Sequence, residues 1–451
     1  MQTKLFRLTV LNALLLSGFA AAETVPATSE PVADSAELET IYITAEAQAK
    51  QQLGSSLITK QDLQRTPVSN DIANIVSKMP GVTLSTNSPG GARGNKRQID
   101  IRTMGPENTL ILIDGKPVCS RNAERYGRGG VRNTRGDSNW VPPEMIEKIE
   151  VLRGPAAARY GSGAMGGVVL LNDAPLPWGN KRVTTKGNVN MGYDTNARGA
   201  SGSATVEAGY GPWGARVHGM YTKGGDYRTA DYRLNNTGYN TISLSGMVGF
   251  EGKHVTATLF SSIYYQRSGI YYASKVSDLD QLVKRFEYGR PDPQTIQPFS
   301  YEIKPPFQQS QHVTLKGELK WRLNPSHQID FTLSFQENLR QEFENRKKAQ
   351  WSWIPVQDLI LKTYKVDVLW HAKWKLWKMT TDAGLSNTYQ TNYNYPGTKQ
   401  PAFVPNFAAL SMGGYFLHKA EWGRLQMALG MRYDFRVMSV NGYTSLSNYT
   451  Y

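Results

Sequence analysis

The stretch Ser120–Trp140 reads SRNAERYGRGGVRNTRGDSNW, with five arginines (Arg121, Arg125, Arg128, Arg132, Arg135) against two carboxylates, Glu124 and Asp137. A guanidinium is a planar fork of N–H donors that stays charged at neutral pH. It binds flat anions bidentately and stacks on aromatic planes. The stretch has no apolar periodicity, so it is expected to be neither a core strand nor an amphipathic helix. It reads as a loop whose surplus positive charge is meant for an anionic partner.

Other kinds of chemistry find little support. The six histidines (His218, His254, His312, His327, His371, His418) are scattered, with no H-x-x-x-H or H-E-x-x-H spacing. No Ser/His/Asp order, paired catalytic carboxylates or metal-binding cysteines are present, so neither an enzyme nor a protein-held metal is expected. Cys119 is alone and cannot form an intrachain disulfide. The glycine-rich run Gly161–Gly167 lacks the following helix and the G-x-G-x-x-G spacing of a dinucleotide loop.

The elements that must position the arginines fall into three pieces. Residues 1–22 have Lys4 and Arg7 up front, an apolar stretch to Leu16, and Ala20-Ala21-Ala22 at the end. That is the pattern of a secretory signal peptide, cut before Glu23. An exported chain seldom meets nucleic acid, so the net charge of +14 points instead to an anionic ligand or a lipopolysaccharide surface. Residues 23–52 are polar and rich in Ala, Pro and Glu. They hold one alternating island, ETIYITAEA (Glu39–Ala47), suited to pairing as an added strand on a partner's sheet.

Residues 53–173 read as a compact α/β unit. SLITKQDLQRTP reads as a short strand followed by a helix opening near Thr59. A second follows in DIANIVSKMPG, with Ile72, Ile75, Val76 and Met79 on one face and a stop at Pro80-Gly81. QIDIR, NTLILIDGKPV, Ile149–Leu152 and Val168–Leu171 read as strands. Arg102, Arg153, Arg159 and Glu147 sit in strand or near-strand context.

From about Val183 the period becomes two. Leu315, Leu319 and Trp321 alternate with Thr314, Lys316, Glu318 and Lys320. Ile329, Phe331, Leu333 and Phe335 alternate with Asp330, Thr332, Ser334 and Gln336, and Leu425–Phe435 repeats the pattern. A soluble sandwich alternates in the same way. Strands of about 10–13 residues, however, exceed the usual 5–6 and suffice to cross a membrane when tilted. Aromatics such as Trp213, Trp321, Trp351, Trp353, Trp370, Trp374 and Trp422 gather at strand ends, as interfacial belts do. Short turns (GYGPWG, LNPSH) alternate with long connectors (Tyr272–Gln311, Gln341–Asp358), the asymmetry of an outer-membrane barrel.

These residues resemble the TonB-dependent outer-membrane receptors, and the plug is most similar to that of ferric enterobactin receptors. The resemblance rests on ETIYITAEA as a TonB box, on PGVTLSTNSPGGARGNKRQIDIRTMGPENTLILIDGKPVCSRN (80–122), and on TRGDSNWVPPEMIEKIEVLRGPAAARYGSGAMGGVV (134–169). Beyond residue 170 it thins, and YYASKVSDLDQLVKRFEYGRPDP looks more like receptors of a Bacteroidetes-type branch. The implied fold is mostly β: a transmembrane antiparallel β-barrel with an N-terminal α/β plug at 53–173. The family barrel has about 22 strands. Residues 183–451 supply about 10–12 of them, at roughly 25 residues per strand with connector, so a C-terminal part of the barrel is expected to be missing.

The resemblance implies TonB-dependent uptake of a ferric siderophore of catecholate type across the Gram-negative outer membrane, with haem, another siderophore or cobalamin as alternatives. Glu39, Thr40, Ile41, Tyr42, Ile43, Thr44 and Ala45 would bind TonB, energised by ExbB and ExbD. The arginine loop would reach the extracellular side beneath the barrel mouth, beside a second loop, GGARGNKRQ. Arg93, Lys96, Arg97, Arg121, Arg125, Arg128, Arg132 and Arg135 would meet the anionic catecholates, with Tyr126 and Trp140 as aromatic partners. The siderophore fills iron's coordination sphere, so no protein ligand or cofactor is implied. The receptor would be a monomer in contact with lipopolysaccharide.

Overall fold

The computed structural model describes residues 55–59, 63, 72–86, 97–103, 109–113, 116–117, 121–126, 130–135, 146–153, 160, 164, 166–179, 181–272, 279–290, 296–345, 349–398, 401–402, 404–422 and 425–441. The leader, the segment Glu39–Ala47, Cys119 and Arg159 lie outside them.

The N-terminal elements are β1 (Ser55–Thr59), α1 (Ile72–Val76), β2 (Val82–Thr86), β3 (Arg97–Ile101), β4 (Thr109–Ile113), β5 (Lys116–Pro117), β6 (Arg121–Tyr126), β7 (Gly130–Arg135), β8 (Ile146–Leu152) and β9 (Gly167–Asp173). Five of the strands form one sheet in the order β1-β8-β9-β4-β5, in which β4 runs parallel to β9. β2 with β3 and β6 with β7 form separate antiparallel pairs. Thr59 closes the short strand expected there, and Leu63 beyond it is helical.

The apolar face expected of α1 is the one that packs. Ile72, Ile75 and Val76 join Ile58, Ile99, Ile101, Ile111, Ile149, Val151, Val169 and Leu171 in one core, with Met79 against it. The chain leaves α1 through Gly81 at φ +68°, a left-handed turn that suits glycine. Buried Arg153 donates to Ser56 Oγ (2.8 Å) and to the Pro80 carbonyl (2.6 Å), fastening β1 to that turn. Desolvation, followed by the nearby Arg102 charge, lowers its pKa.

The larger sheet is an antiparallel meander of 11 strands: β10 (Thr184–Asp194), β11 (Gly199–Tyr210), β12 (Trp213–Gly224), β15 (Tyr239–Glu251), β16 (Val255–Gly269), β17 (Phe307–Asn324), β18 (His327–Phe343), β19 (Gln357–Lys373), β20 (Thr380–Asn394), β21 (Asn406–Trp422) and β22 (Leu425–Asn441). A small pair, β13 (Tyr227–Arg228) and β14 (Arg233–Leu234), decorates the β12–β15 connector. The connector after β16 contains a ten-residue helix, α2 (Leu279–Tyr288), which lies in what the sequence suggested was a plain polar connector.

Burial in this sheet is inverted relative to a soluble protein. On β18, Leu333 is 64% exposed while Thr332 and Ser334 beside it are 3% and 5%. On β19, exposed Tyr364 and Val366 alternate with buried Thr363, Lys365 and Asp367. On β12, Val217 and Tyr221 face out while Arg216, His218 and Thr222 are buried. A water-soluble sandwich would expose the polar set, whereas a sheet with lipid outside and a polar lumen inside requires this order. The lumenal charges pair along their own strands, as in Lys365–Asp367 (2.8 Å), or across to a neighbour, as in Arg216–Glu207 (2.6 Å).

The connector from β9 to β10 runs along the inner face of the sheet. Arg216 holds the Ala174 and Pro175 carbonyls, and Leu176 packs with Met247, Phe260 and Trp178. Gly209 and Gly214 make room for it, because a side chain at either would collide with Pro177 or Leu176.

Candidate ligand-binding site

The arginine stretch is not the featureless loop that its sequence suggested. β6 and β7 form an antiparallel ribbon with Arg121 opposite Arg135, Asn122 opposite Thr134, Glu124 opposite Arg132, Arg125 opposite Val131 and Tyr126 opposite Gly130. Residues 127–129, Gly-Arg-Gly, connect the strands. The strands Arg-Asn-Ala-Glu-Arg-Tyr and Gly-Val-Arg-Asn-Thr-Arg carry no apolar alternation, so an apolar pattern could not reveal them.

Register sorts the arginines. Positions 121, 125 and 135 share one face of the ribbon with Ala123, Val131 and Asn133, and that face carries no carboxylate. Arg132 shares the other face with Glu124 directly across from it and with Tyr126. Arg97 opens β3, paired with Thr86. Arg93, Lys96, Arg128 and Trp140 lie outside the described residues.

The long-connector end of the sheet holds a second set of cationic and aromatic groups, absent from the sequence expectations. Phe299 lies between two guanidinium groups, Arg198 at 4.6 Å and Arg233 at 5.0 Å from its ring centre. Tyr301 stands edge-on to Phe299 at 4.8 Å, donates to the Arg198 carbonyl (2.8 Å) and lies beneath Lys223 at 5.7 Å. These residues come from three connectors and the end of β12, so no local spacing could have joined them.

A buried carboxylate fixes the arrangement. Asp226, 1% exposed, accepts from the Thr237 amide (3.2 Å), the Ser300 amide (3.2 Å) and Asn235 Nδ2 (3.3 Å). It thereby locks the β12–β15 connector to the return of the next one. Burial, reinforced by Tyr232, pushes the nearby Tyr271 phenol up to about 12, so it stays neutral.

His218 is fully buried on β12 with Thr205 on its Nδ1 (2.8 Å). His254 sits in the short β15–β16 turn, at the opposite end from this cluster. Among the described residues no group of His, Cys, Asp and Glu could hold a metal ion.

Residues 48–168 match the family described as the TonB-dependent receptor plug domain. A stretch of 163 residues is 63% identical to the probable TonB-dependent siderophore receptor PirA of Acinetobacter baumannii, covering 36% of this chain and 22% of that protein. Another of 131 residues is 66% identical to the ferric enterobactin receptor PirA of Pseudomonas aeruginosa, covering 29% and 18%. Residues 48–168 thus form a plug domain of the TonB-dependent receptor type.

The likeness to TonB-dependent receptors extends to the large sheet. The structure superposes on a variant of the ferric enterobactin receptor PfeA from Pseudomonas aeruginosa with a TM-score of 0.65 at 26% identity, over 87% of this chain and 58% of the other. Its matched stretches thus span about a fifth of its curated relatives, and the chain covers 58% of that solved receptor. The family consists of transport receptors, not enzymes.

Proposed function

We propose that this receptor takes up a ferric catecholate siderophore across the outer membrane, with residues 53–173 as the plug and 183–451 as the N-terminal part of a 22-stranded barrel. The observation that carries the reading is the β6–β7 ribbon, whose one face gathers Arg121, Arg125 and Arg135 without a carboxylate. A ferric tris-catecholate is a trianion with flat aromatic rings, so guanidinium groups match both its charge and its planes. The close relatives of the plug are named as siderophore and ferric enterobactin receptors, which supports the same ligand class.

In this reading Arg93, Lys96, Arg97, Arg128, Arg132, Tyr126 and Trp140 complete the plug side of the site. Arg198, Arg233, Phe299, Tyr301 and Lys223 receive the ligand first at the rim. Glu39–Ala45 adds as a strand to TonB, which ExbB and ExbD energise, and the receptor works as a monomer set in lipopolysaccharide. The deciding experiment is a binding titration of a ferric tris-catecholate, a ferric hydroxamate, haem and cobalamin at low and high ionic strength. The catecholate should bind tightest and lose affinity steeply with salt. Equal binding of the neutral hydroxamate, with no salt dependence, would overturn the assignment.

A further inference from the structure

The β19–β20 turn, KWKLWKM (Lys373–Met379), does more than reverse the chain. Lys373, Lys375 and Lys378 are all exposed, and the turn carries no carboxylate. Trp374 (41% exposed) and Leu376 (60%) project beside them. Lys378 has φ +43°, a left-handed conformation where glycine or asparagine would be the less costly choice. A lysine at such a position points to a use for its charge.

Behind the turn lies an ordered aromatic wall on the outer face of the sheet. His327 stacks on Trp370 at 5.8 Å and meets Trp374 edge-on at 5.5 Å. Trp374 Nε1 donates to Thr381 Oγ1 (2.9 Å), which also bonds His418 Nδ1 (2.9 Å). The nearby acid Asp382 is held by His371 on the opposite, lumenal face (2.6 Å) and does not neutralise the turn. Directly above runs the exposed apolar band that includes Leu333, Val366 and Leu385.

We propose that this turn is a docking surface for the phosphate headgroups of anionic phospholipid in the periplasmic leaflet. Short turns of outer-membrane barrels face the periplasm, where the leaflet is phospholipid. An interfacial tryptophan wall with three lysines and no acid complements an anionic headgroup while the tryptophans sit among the upper acyl carbons. The proposal rests on the membrane-spanning reading of the sheet.

The test reconstitutes the full chain in phosphatidylcholine vesicles with brominated phosphatidylglycerol or brominated phosphatidylcholine, and follows quenching of tryptophan fluorescence. The brominated anionic lipid should quench at lower mole fraction, and the triple change Lys373→Gln, Lys375→Gln, Lys378→Gln should reduce that preference by about fivefold or more. The triple Lys→Arg variant should keep it, which separates charge from misfolding. Millimolar glycerophosphate should leave the preference intact, since a lipid site needs the acyl chains too. Displacement by glycerophosphate, or equal quenching by both lipids in the unsubstituted chain, would overturn the proposal and leave the spanning reading standing. No quenching by either lipid would overturn both.

Discussion

Arg216, on β12 and 2% exposed, donates through Nη1 to the carbonyl of Ala174 at 2.8 Å, joining the wall to the connector that leaves β9. Its Nη2 takes the Pro175 carbonyl (2.8 Å) and its Nε the Glu207 carboxylate (2.6 Å). Replacing it by Met removes the positive half of a buried pair and leaves Glu207 without its cation. Arg216→Met should therefore destabilise this seam by about 3 kcal/mol. Limited proteolysis between residues 174 and 183 should become faster at a urea concentration where the unsubstituted chain is protected. Unchanged cleavage would mean that the Leu176 cluster alone holds the connector.

The inverted burial of β18 gives opposite predictions for adjacent residues. Leu333→Arg places a charge on the exposed apolar face and should cost about 2–4 kcal/mol if that face meets the bilayer midplane. In a soluble sheet the same change would be neutral or would raise solubility. Thr332→Ser, on the lumenal side, should cost under about 1 kcal/mol. Folding yield into lipid vesicles, measured by protease protection, checks both. A Leu333→Arg chain that inserts as well as its parent would rule out lipid on that face.

Much of the large sheet was legible because a period of two is written into each strand. The runs around Leu315, Phe331 and Leu429 fall in β17, β18 and β22, and 11 strands stand where 10–12 were expected. Periodicity alone could not say which face was buried, since a sandwich and a barrel share it. Only the exposure of Leu333 beside Thr332 decides that. The candidate site was less legible for two reasons. The β6–β7 ribbon has no apolar alternation, and the Phe299 cluster assembles side chains up to 103 residues apart in sequence, from Arg198 to Tyr301. α2 escaped because it lies in a connector and has no buried residue, although Leu279, Leu282, Val283 and Phe286 follow helical spacing.

Gly167 begins β9 at φ +155°, where a Cβ would stand 2.6 Å from the Leu152 carbonyl oxygen and 2.8 Å from Ile101 Cδ1. Neither neighbour can yield, because one is sheet backbone and the other a core side chain. Gly167→Ala should lower stability of the N-terminal unit by about 1–3 kcal/mol through overpacking, with more from the backbone. Hydrogen exchange of the β8 and β9 amides should accelerate accordingly. Exchange as slow as in the parent would show that β8 and β9 can separate without cost.

The β6–β7 register makes the arginines unequal, which a simple count of positive charge does not. Arg132 is directly opposite Glu124 in the register, where a cross-strand pair of opposite charge would be worth about 0.2–1 kcal/mol. Positions 121, 125 and 135 have Arg, Val and Arg across from them and no acid on their face. If the ribbon receives a ferric catecholate, Arg125→Ala and Arg135→Ala should each weaken binding by about 10- to 150-fold, the equivalent of the roughly 1.5–3 kcal/mol of a hydrogen bond to a charged group. Both should flatten the dependence of affinity on salt. Arg132→Ala should cost less, and Glu124→Gln should raise affinity by freeing Arg132 for the anion. Titrations of the four variants at two ionic strengths distinguish these outcomes. Arg132→Ala as damaging as Arg125→Ala, with Glu124→Gln neutral, would mean that total charge near the mouth, and not the face selected by strand register, governs recognition.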